Sequence, residues 1–171
     1  MSVNVSAIDF RQRDFVDGIE QILKDTGLEP ALLELEITEG VLMQNIDATV
    51  TALNRIKALG VRLAIDDFGT GYSSLSYLRR FPVDVLKIDQ SFIRSLSSDS
   101  NDAALVSAII SLGRSLKLTI IAEGVETLQQ LDFLKAHQCE EGQGYYFSKA
   151  VEPDAFVRYL QSVQPSSSVF M

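Results

Sequence analysis

Soft metal ligands and imidazoles are almost absent from this chain. His137 is the sole histidine and Cys139 the sole cysteine among 171 residues. A zinc centre of the usual His/Cys kind is therefore nearly excluded, and so is a Ser-His-Asp triad. One cysteine permits no internal disulfide, which fits a reducing compartment. No apolar run approaches the roughly 18–20 residues of a membrane span. The opening MSVNVSAIDF lacks the basic-then-apolar layout of a signal peptide. The expectation is a cytoplasmic chain with no membrane insertion of its own, although a longer parent could be membrane-anchored. Positive charge is also scarce: 15 Lys and Arg face 23 Asp and Glu, for a formal charge of −8. That argues against a broad footprint on duplex nucleic acid. A small phosphate ligand could approach clustered acids only after cations neutralise them. Any metal must be hard and bound through oxygen.

What the chain does contain is a regular alternation. A hydrophobic content of 46% is enough for one core. Strand-like runs fall at 3–6, 33–38, 62–66, 85–89, 119–123 and 142–147. Helical spacing separates them: Phe15, Ile19, Ile22 and Leu23 before a Gly27 stop; Ile46, Val50, Leu53 and Ile56 before Gly60; Leu105, Ile109, Leu112 and Leu116. Thr127 with Gln130 reads as a capping box, and Pro153 as the first residue of a last helix. Residues 97–102 read as a polar loop. Alternating strands and helices predict an α/β fold with parallel strands. An open doubly wound sheet and a β/α barrel both remain possible; a barrel needs eight strands, and six are counted. The expected organisation is one domain over 1–163 and a polar tail over 164–171.

Strand parity sorts the polar residues. In LELEIT, Leu33, Leu35 and Ile37 share one face, leaving Glu34 and Glu36 on the other. Asn4 lies opposite Val3 and Val5, Asp66 opposite Leu63 and Ile65, and Lys87 between Leu86 and Ile88; Glu123 ends its strand. The polar set should point away from the helices, near the C-terminal strand ends where α/β folds bind ligands. A lone acid at a strand end is commonly a loop cap, Asp66-Asp67 can be a helix cap, and Lys87 can simply snorkel. The same parity in four strands instead favours a shared site. An Asn with several carboxylates and no His suits Mg²⁺ or Mn²⁺.

The segments SVNVSA, ELEITE, DDFGTGYSSLSYLRRFPVDVLKID, IIAEGVET and QGYYFS occur in this order. Together they closely resemble the EAL phosphodiesterase family. The resemblance implies a modified TIM-type barrel with one strand opposed to the rest, of which about six of eight strand-helix units are present. It implies hydrolysis of cyclic-di-GMP to the linear dinucleotide, with Mg²⁺ or Mn²⁺ as cofactor. By motif, Asn4 and Glu36 resemble ligands of a first metal, Asp66 a bridging ligand and Asp67 a ligand of the second. Lys87 resembles the residue that orients water or a phosphate oxygen, and Glu123 the general base or a second-metal ligand. Gln143 resembles a supporting polar residue, Glu39 the glutamate anchoring the DDFGTG loop, and Glu126 ends the AEGVET motif.

The family's Tyr-Gln-Pro and Glu-Ala-Leu strands have no counterpart in this sequence, and Ser-Lys-Ala at 148–150 replaces the usual Ser-Arg-Pro. The Glu-Ala-Leu glutamate is itself a metal ligand. The expectation is therefore an impaired fragment of the enzyme domain that self-associates through a barrel seam or exposed edge. A catalytically inactive EAL-like module that binds nucleotide or a partner protein is the alternative.

Overall fold

A computed structural model of the chain describes residues 1–71, 75–96 and 100–162. Its strands are β1 (Ser2–Val5), β2 (Glu34–Thr38), β3 (Arg62–Phe68), β4 (Val85–Ile88), β5 (Thr119–Glu123) and β6 (Glu141–Gln143). The helices are α1 (Ala7–Phe10), α2 (Phe15–Thr26), α3 (Glu39–Leu42), α4 (Ile46–Ala58), α5 (Leu75–Leu78), α6 (Gln90–Ser95), α7 (Ser100–Ser115), α8 (Leu128–Ala136) and α9 (Pro153–Ser162). A single 3₁₀ turn, Pro30–Leu32, leads into β2.

Local chemistry accounts for the long helices. Helix α2 buries Val16, Ile19 and Leu23 and stops where Gly27 turns left-handed (φ 67°), its N–H bonding Leu23 O. Helix α4 starts at Asn45, whose side chain accepts from Ala48 N, and buries Leu53 and Ile56. The Thr127/Gln130 capping box opens α8. In α7 the buried stripe is Val106, Ile109 and Ile110, while Leu105 is exposed, so the seam lies one residue along from the spacing read in sequence.

Some boundaries differ from expectation. Residues 100–102 belong to α7 rather than to a polar loop, while 97–99 lie outside the described residues. The sixth strand ends at Gln143, because the chain turns at Gly144, whose carbonyl accepts from Phe147 N. The tail at 164–171 also lies outside the described residues. The short helices α1 and α6 were not legible, since four to six residues are too few to show a period. They are set by caps: Ser6 accepts from Asp9 N, and Asp89 accepts from Ser91 N.

Strand order settles the architecture. All six strands are parallel and lie in the order β1-β2-β3-β4-β5-β6, each beside its sequence neighbour. A doubly wound sheet reverses its order at a switch point. Right-handed crossovers without reversal send every helix to one face, which is the winding of a barrel. One core fills that side: Leu35, Ile37, Leu63, Ile65, Leu86, Ile88 and Ile120 from the strands meet Ile19, Leu53, Ile56, Ile93, Ile110 and Leu134 from the helices. The opposed strand implied by the resemblance is not among these six. The other sheet face carries the polar residues.

Candidate active site

Register carries the polar side chains to one place. Asn4 pairs with Glu36, and Glu123 pairs with Gln143, across adjacent strands. The focus is the ammonium of Lys87, a residue of β4 that is only 4% exposed. Its Nζ lies 2.6 Å from Glu123 Oε1, 2.7 Å from Glu36 Oε2 and 3.1 Å from Asp66 Oδ1. The Asn4 amide nitrogen, assigned to the side facing the acids, stands 3.3 Å from both Glu36 Oε2 and Asp66 Oδ2. Gln143 Nε2 donates to Glu123 Oε1 at 2.7 Å. Asn4, Glu36, Asp66, Lys87, Glu123 and Gln143 thus occupy one site at the C-terminal strand ends.

Asp67 joins them by a different route. Strict alternation would turn it toward the helices. Instead the β3–β4 register shifts between Ile65 and Phe68, and Asp67 takes a left-handed conformation (φ 53°). Such a bulge re-aims one side chain without ending the strand. Carboxylate oxygens of Asp66, Asp67 and Glu123 consequently lie within 4.8 Å of one another.

Glu39, at the start of α3, is 3% exposed, and its Oε2 accepts from Gly69 N at 3.1 Å. It thereby ties the loop after β3 to β2. Gly71 belongs to the same contact: a Cβ there would stand 2.5 Å from Glu39 Oε1, so the loop closes on Glu39 only with glycine at that position. Glu126 sits at the rim, 3.5 Å from Arg94.

Asp89 belongs to the site and was missed in the sequence. It follows β4 immediately, caps α6, and lies close enough to Asp67 for its charge to raise the Asp67 pKa. The signal was available, because Asp89 has the same parity as Lys87.

The electrostatics are those of crowded acids with too little positive charge. Burial raises the Glu123 pKa, and the Asp66 and Glu36 charges add to this against the opposing pull of Lys87. Burial likewise raises Asp67, helped by Asp66 and Asp89. Asp89 moves the other way: burial works against its ionisation, but the Ser91 hydroxyl and N–H together outweigh it. Burial opposes the Lys87 charge, yet hydrogen bonds to Glu123 and Glu36 win and raise its pKa. Asp66 Oδ1 is buried and accepts no hydrogen bond from the described residues; its contact with Lys87 is an ion pair only. A buried carboxylate oxygen without a donor, within reach of Asp67 and Glu123, fits a hard divalent cation.

Comparison with known proteins identifies the family of this fold. The EAL domain family model matches residues 1–150. The chain is 46% identical over 162 residues to the cyclic di-GMP phosphodiesterase NbdA of Pseudomonas aeruginosa, covering 95% of itself and 21% of that protein. The PaMucR phosphodiesterase, solved as a c-di-GMP complex, is 46% identical with a TM-score of 0.88, over 91% of this chain and 63% of that one. Klebsiella pneumoniae BlrP1, solved as a manganese/cy-diGMP complex, is 32% identical with a TM-score of 0.79, over 86% of this chain and 38% of that one. The chain therefore spans about a fifth of the length of the curated relative and less than two thirds of these solved chains. With its family model, its partial-barrel winding and its close structural neighbours in accord, the chain belongs to the EAL domain family.

Proposed function

We propose that this chain forms part of a cyclic-di-GMP phosphodiesterase that hydrolyses the cyclic dinucleotide to its linear form with Mg²⁺ or Mn²⁺. The observation that carries the reading is the meeting of Asn4, Glu36, Asp66, Asp67 and Glu123 around one buried lysine. Asn4, Glu36, Asp66 and Asp67 would hold the cations. Bound there, the metals supply Lewis acidity toward a phosphate oxygen and activate water for in-line displacement.

The protein's own groups do the rest. Glu123 Oε1 faces the site and holds a proton more readily than an ordinary glutamate, which suits a base that takes a proton from the attacking water. Gln143 fixes the orientation of that carboxylate. Lys87 keeps its charge and donates toward the water or a phosphate oxygen. One P–O bond forms with water, the P–O3′ bond breaks, and the proton held on Glu123 balances the departing 3′ oxygen.

The reading extends to a cytoplasmic site of action and to self-association. Among the described residues β1 pairs only with β2 and β6 only with β5, and free parallel edges invite pairing. Light scattering over a concentration series should show species larger than the monomer; a monodisperse monomer throughout refutes self-association.

The functional test uses the purified chain, Mn²⁺ and cyclic-di-GMP, with calorimetry for binding and chromatography for the linear product. The expected result is Mn²⁺-dependent binding and slow formation of linear product, which the Glu123→Gln variant loses. Absence of Mn²⁺-dependent binding, or turnover unchanged in the variant, overturns the reading.

A further inference from the structure

The linker between α1 and α2 faces the start of α4 across a cavity of about 820 Å³ that contains none of the carboxylate site's side chains. Its floor is apolar. Val16 and Val41 are buried there, and the half-buried Phe15 ring meets Phe10 edge-on with centroids 5.7 Å apart. Its rim is cationic. Arg11, Arg13 and Arg55 line it, three of only 15 Lys and Arg in a chain of formal charge −8. Asp47 is the one acid among the described lining residues, and Arg80 holds its carboxylate at 2.6 Å. An acidic chain has thus gathered positive charge over an apolar surface at one place.

We propose that this cavity binds a small phosphate ester with an aromatic body, of the size of a mononucleotide. Two of the three arginines are not satisfied by carboxylates. Arg11 donates to the neutral side-chain oxygen of Gln44, and Arg13 has no ion pair among the described residues. A guanidinium has five N–H donors, so one bond to an amide leaves most of them unused. Their fork matches the paired oxygens of a phosphate. Arg55 is different, because Asp17 holds it, so the charge open to a ligand comes from the 11–13 linker. Helix α4 adds to that charge. Its first turn lines the cavity at Asn45, Asp47 and Ala48, and the Asn45 side chain caps only Ala48 N, at 3.4 Å. The positive end of a 13-residue helix therefore opens beside Gln44 and the arginine that Gln44 holds.

A tether between the linker and α4 is the plainest role for these residues, and the Arg11–Gln44 bond alone provides it. It leaves Arg13 and the apolar floor without a purpose. An acidic peptide is the other anionic partner to weigh. It would engage cations spread along an extended groove, whereas the unpaired cations here lie two residues apart beside one helix start. The volume falls within the range of small-ligand sites, which are mostly apolar with a few polar groups. A phosphate monoester carries a charge of about −1.5 to −2 near neutral pH, enough to engage both guanidiniums at once. The attached ring then covers Phe15 and Val41, where aromatic faces gain from stacking and from leaving water.

The test is calorimetry on the whole chain in EDTA, where the metal-free carboxylate site repels anions. The probes are 5′-AMP, adenosine, which lacks the phosphate, and inorganic phosphate, which lacks the ring. The expected result is saturable one-to-one binding of 5′-AMP, roughly tenfold or more tighter than of either fragment and weakened by added salt. Replacing Arg11→Ala and Arg13→Ala together should weaken it on the order of ten- to a hundredfold. Both side chains are exposed, so the melting temperature should not change. Arg11→Lys with Arg13→Lys keeps the charge, loses the forks and should fall between. Arg114→Ala, which removes an exposed cation outside the cavity, should bind like the wild type. Absence of 5′-AMP binding at millimolar concentration overturns the proposal. So does affinity unchanged in the double alanine variant, or an equal loss in Arg114→Ala.

Discussion

Replacing Lys87 with methionine tests the electrostatics of the site most directly. The methionine keeps most of the buried stem and removes the charge. In the native chain one ammonium touches Glu36, Asp66 and Glu123, all three within 3.1 Å. Without it, three carboxylates face each other in a nearly closed space. Breaking a buried ion pair by removing one partner costs about 3–5 kcal/mol. For a domain of this size each kcal/mol moves the melting temperature by about 2–4 °C, so the variant should melt about 6–20 °C lower in EDTA. Divalent cations should then act unequally on the two proteins. In the wild type they compete with Lys87 for the same oxygens; in the variant they relieve repulsion that nothing else relieves. At a hundredfold excess over Kd, ligand binding adds about 2.7 kcal/mol. Mn²⁺ should therefore raise the variant's melting temperature more than the wild type's, at lower concentration. The assay is thermal unfolding followed by circular dichroism across a Mn²⁺ series. A variant melting within about 2 °C of the wild type in EDTA, or equal Mn²⁺ shifts in both proteins, would refute the role of Lys87 as the internal counter-cation.

Two further outcomes follow from side chains around the site. Glu39→Ala removes the acceptor of Gly69 N and should cost about 1–3 kcal/mol, while loosening Asp66 and Asp67 enough to weaken Mn²⁺ binding; an unchanged melting temperature and Mn²⁺ midpoint would contradict the loop-anchoring role. Cys139 is buried, and burial pushes its thiol from 9.0 up to about 11. The folded chain thus holds that proton more tightly than the unfolded chain does. The stabilisation is complete below pH 9 and is lost as pH rises toward 11, by roughly 2–3 kcal/mol over two units. Urea melts at pH 8 and pH 11 should show the stability gap between wild type and Cys139→Ala shrinking by that amount; a constant gap refutes it.

Much of this site was legible because strand periodicity is a backbone property. Side chains two residues apart must share a face, so Glu36, Asp66 and Lys87 could be aligned before any coordinates. Where alternation holds, the reading reaches further than it was taken: Asp89 follows Lys87 with the same parity and belongs to the cluster. Where alternation fails, sequence gives less. The bulge after Ile65 rotates Asp67 into the site, and the placement of Asp67 in sequence rested on family resemblance, not on parity. Architecture was open between sheet and barrel because hydrophobic patterns report which face is buried, not which strand lies beside which. Only the pairing of each strand with its sequence neighbour decided it. The Arg94–Glu126 pair was invisible as a pair, since its members stand 32 positions apart with helix α7 and strand β5 between them.

The same sheet also distributes rigidity unevenly across the site. Glu36, Asp66, Lys87 and Glu123 come from β2 to β5, each of which is hydrogen-bonded on both sides. Glu36 is itself registered in both of its ladders, with Asn4 and Ala64, while Asp66, Lys87 and Glu123 are each registered in one, with Thr38, Ile121 and Gln143. Asn4 and Gln143 come from β1 and β6, each paired on one side among the described residues, and both side chains are exposed. On the proposed phosphodiesterase reading, these central strands would set the distances that decide cation size and the placement of the base. The outer two supply amides, which carry no charge and adapt by rotating. An amide can turn its oxygen toward a cation or its nitrogen toward a carboxylate. Asn4 presents nitrogen to Glu36 and Asp66 here, and the same side chain turned over presents oxygen. A neutral, reversible group at the edge can thus follow the charge state of the centre without moving the carboxylates, whereas an aspartate at position 4 would add another negative charge beside Glu36 and Asp66.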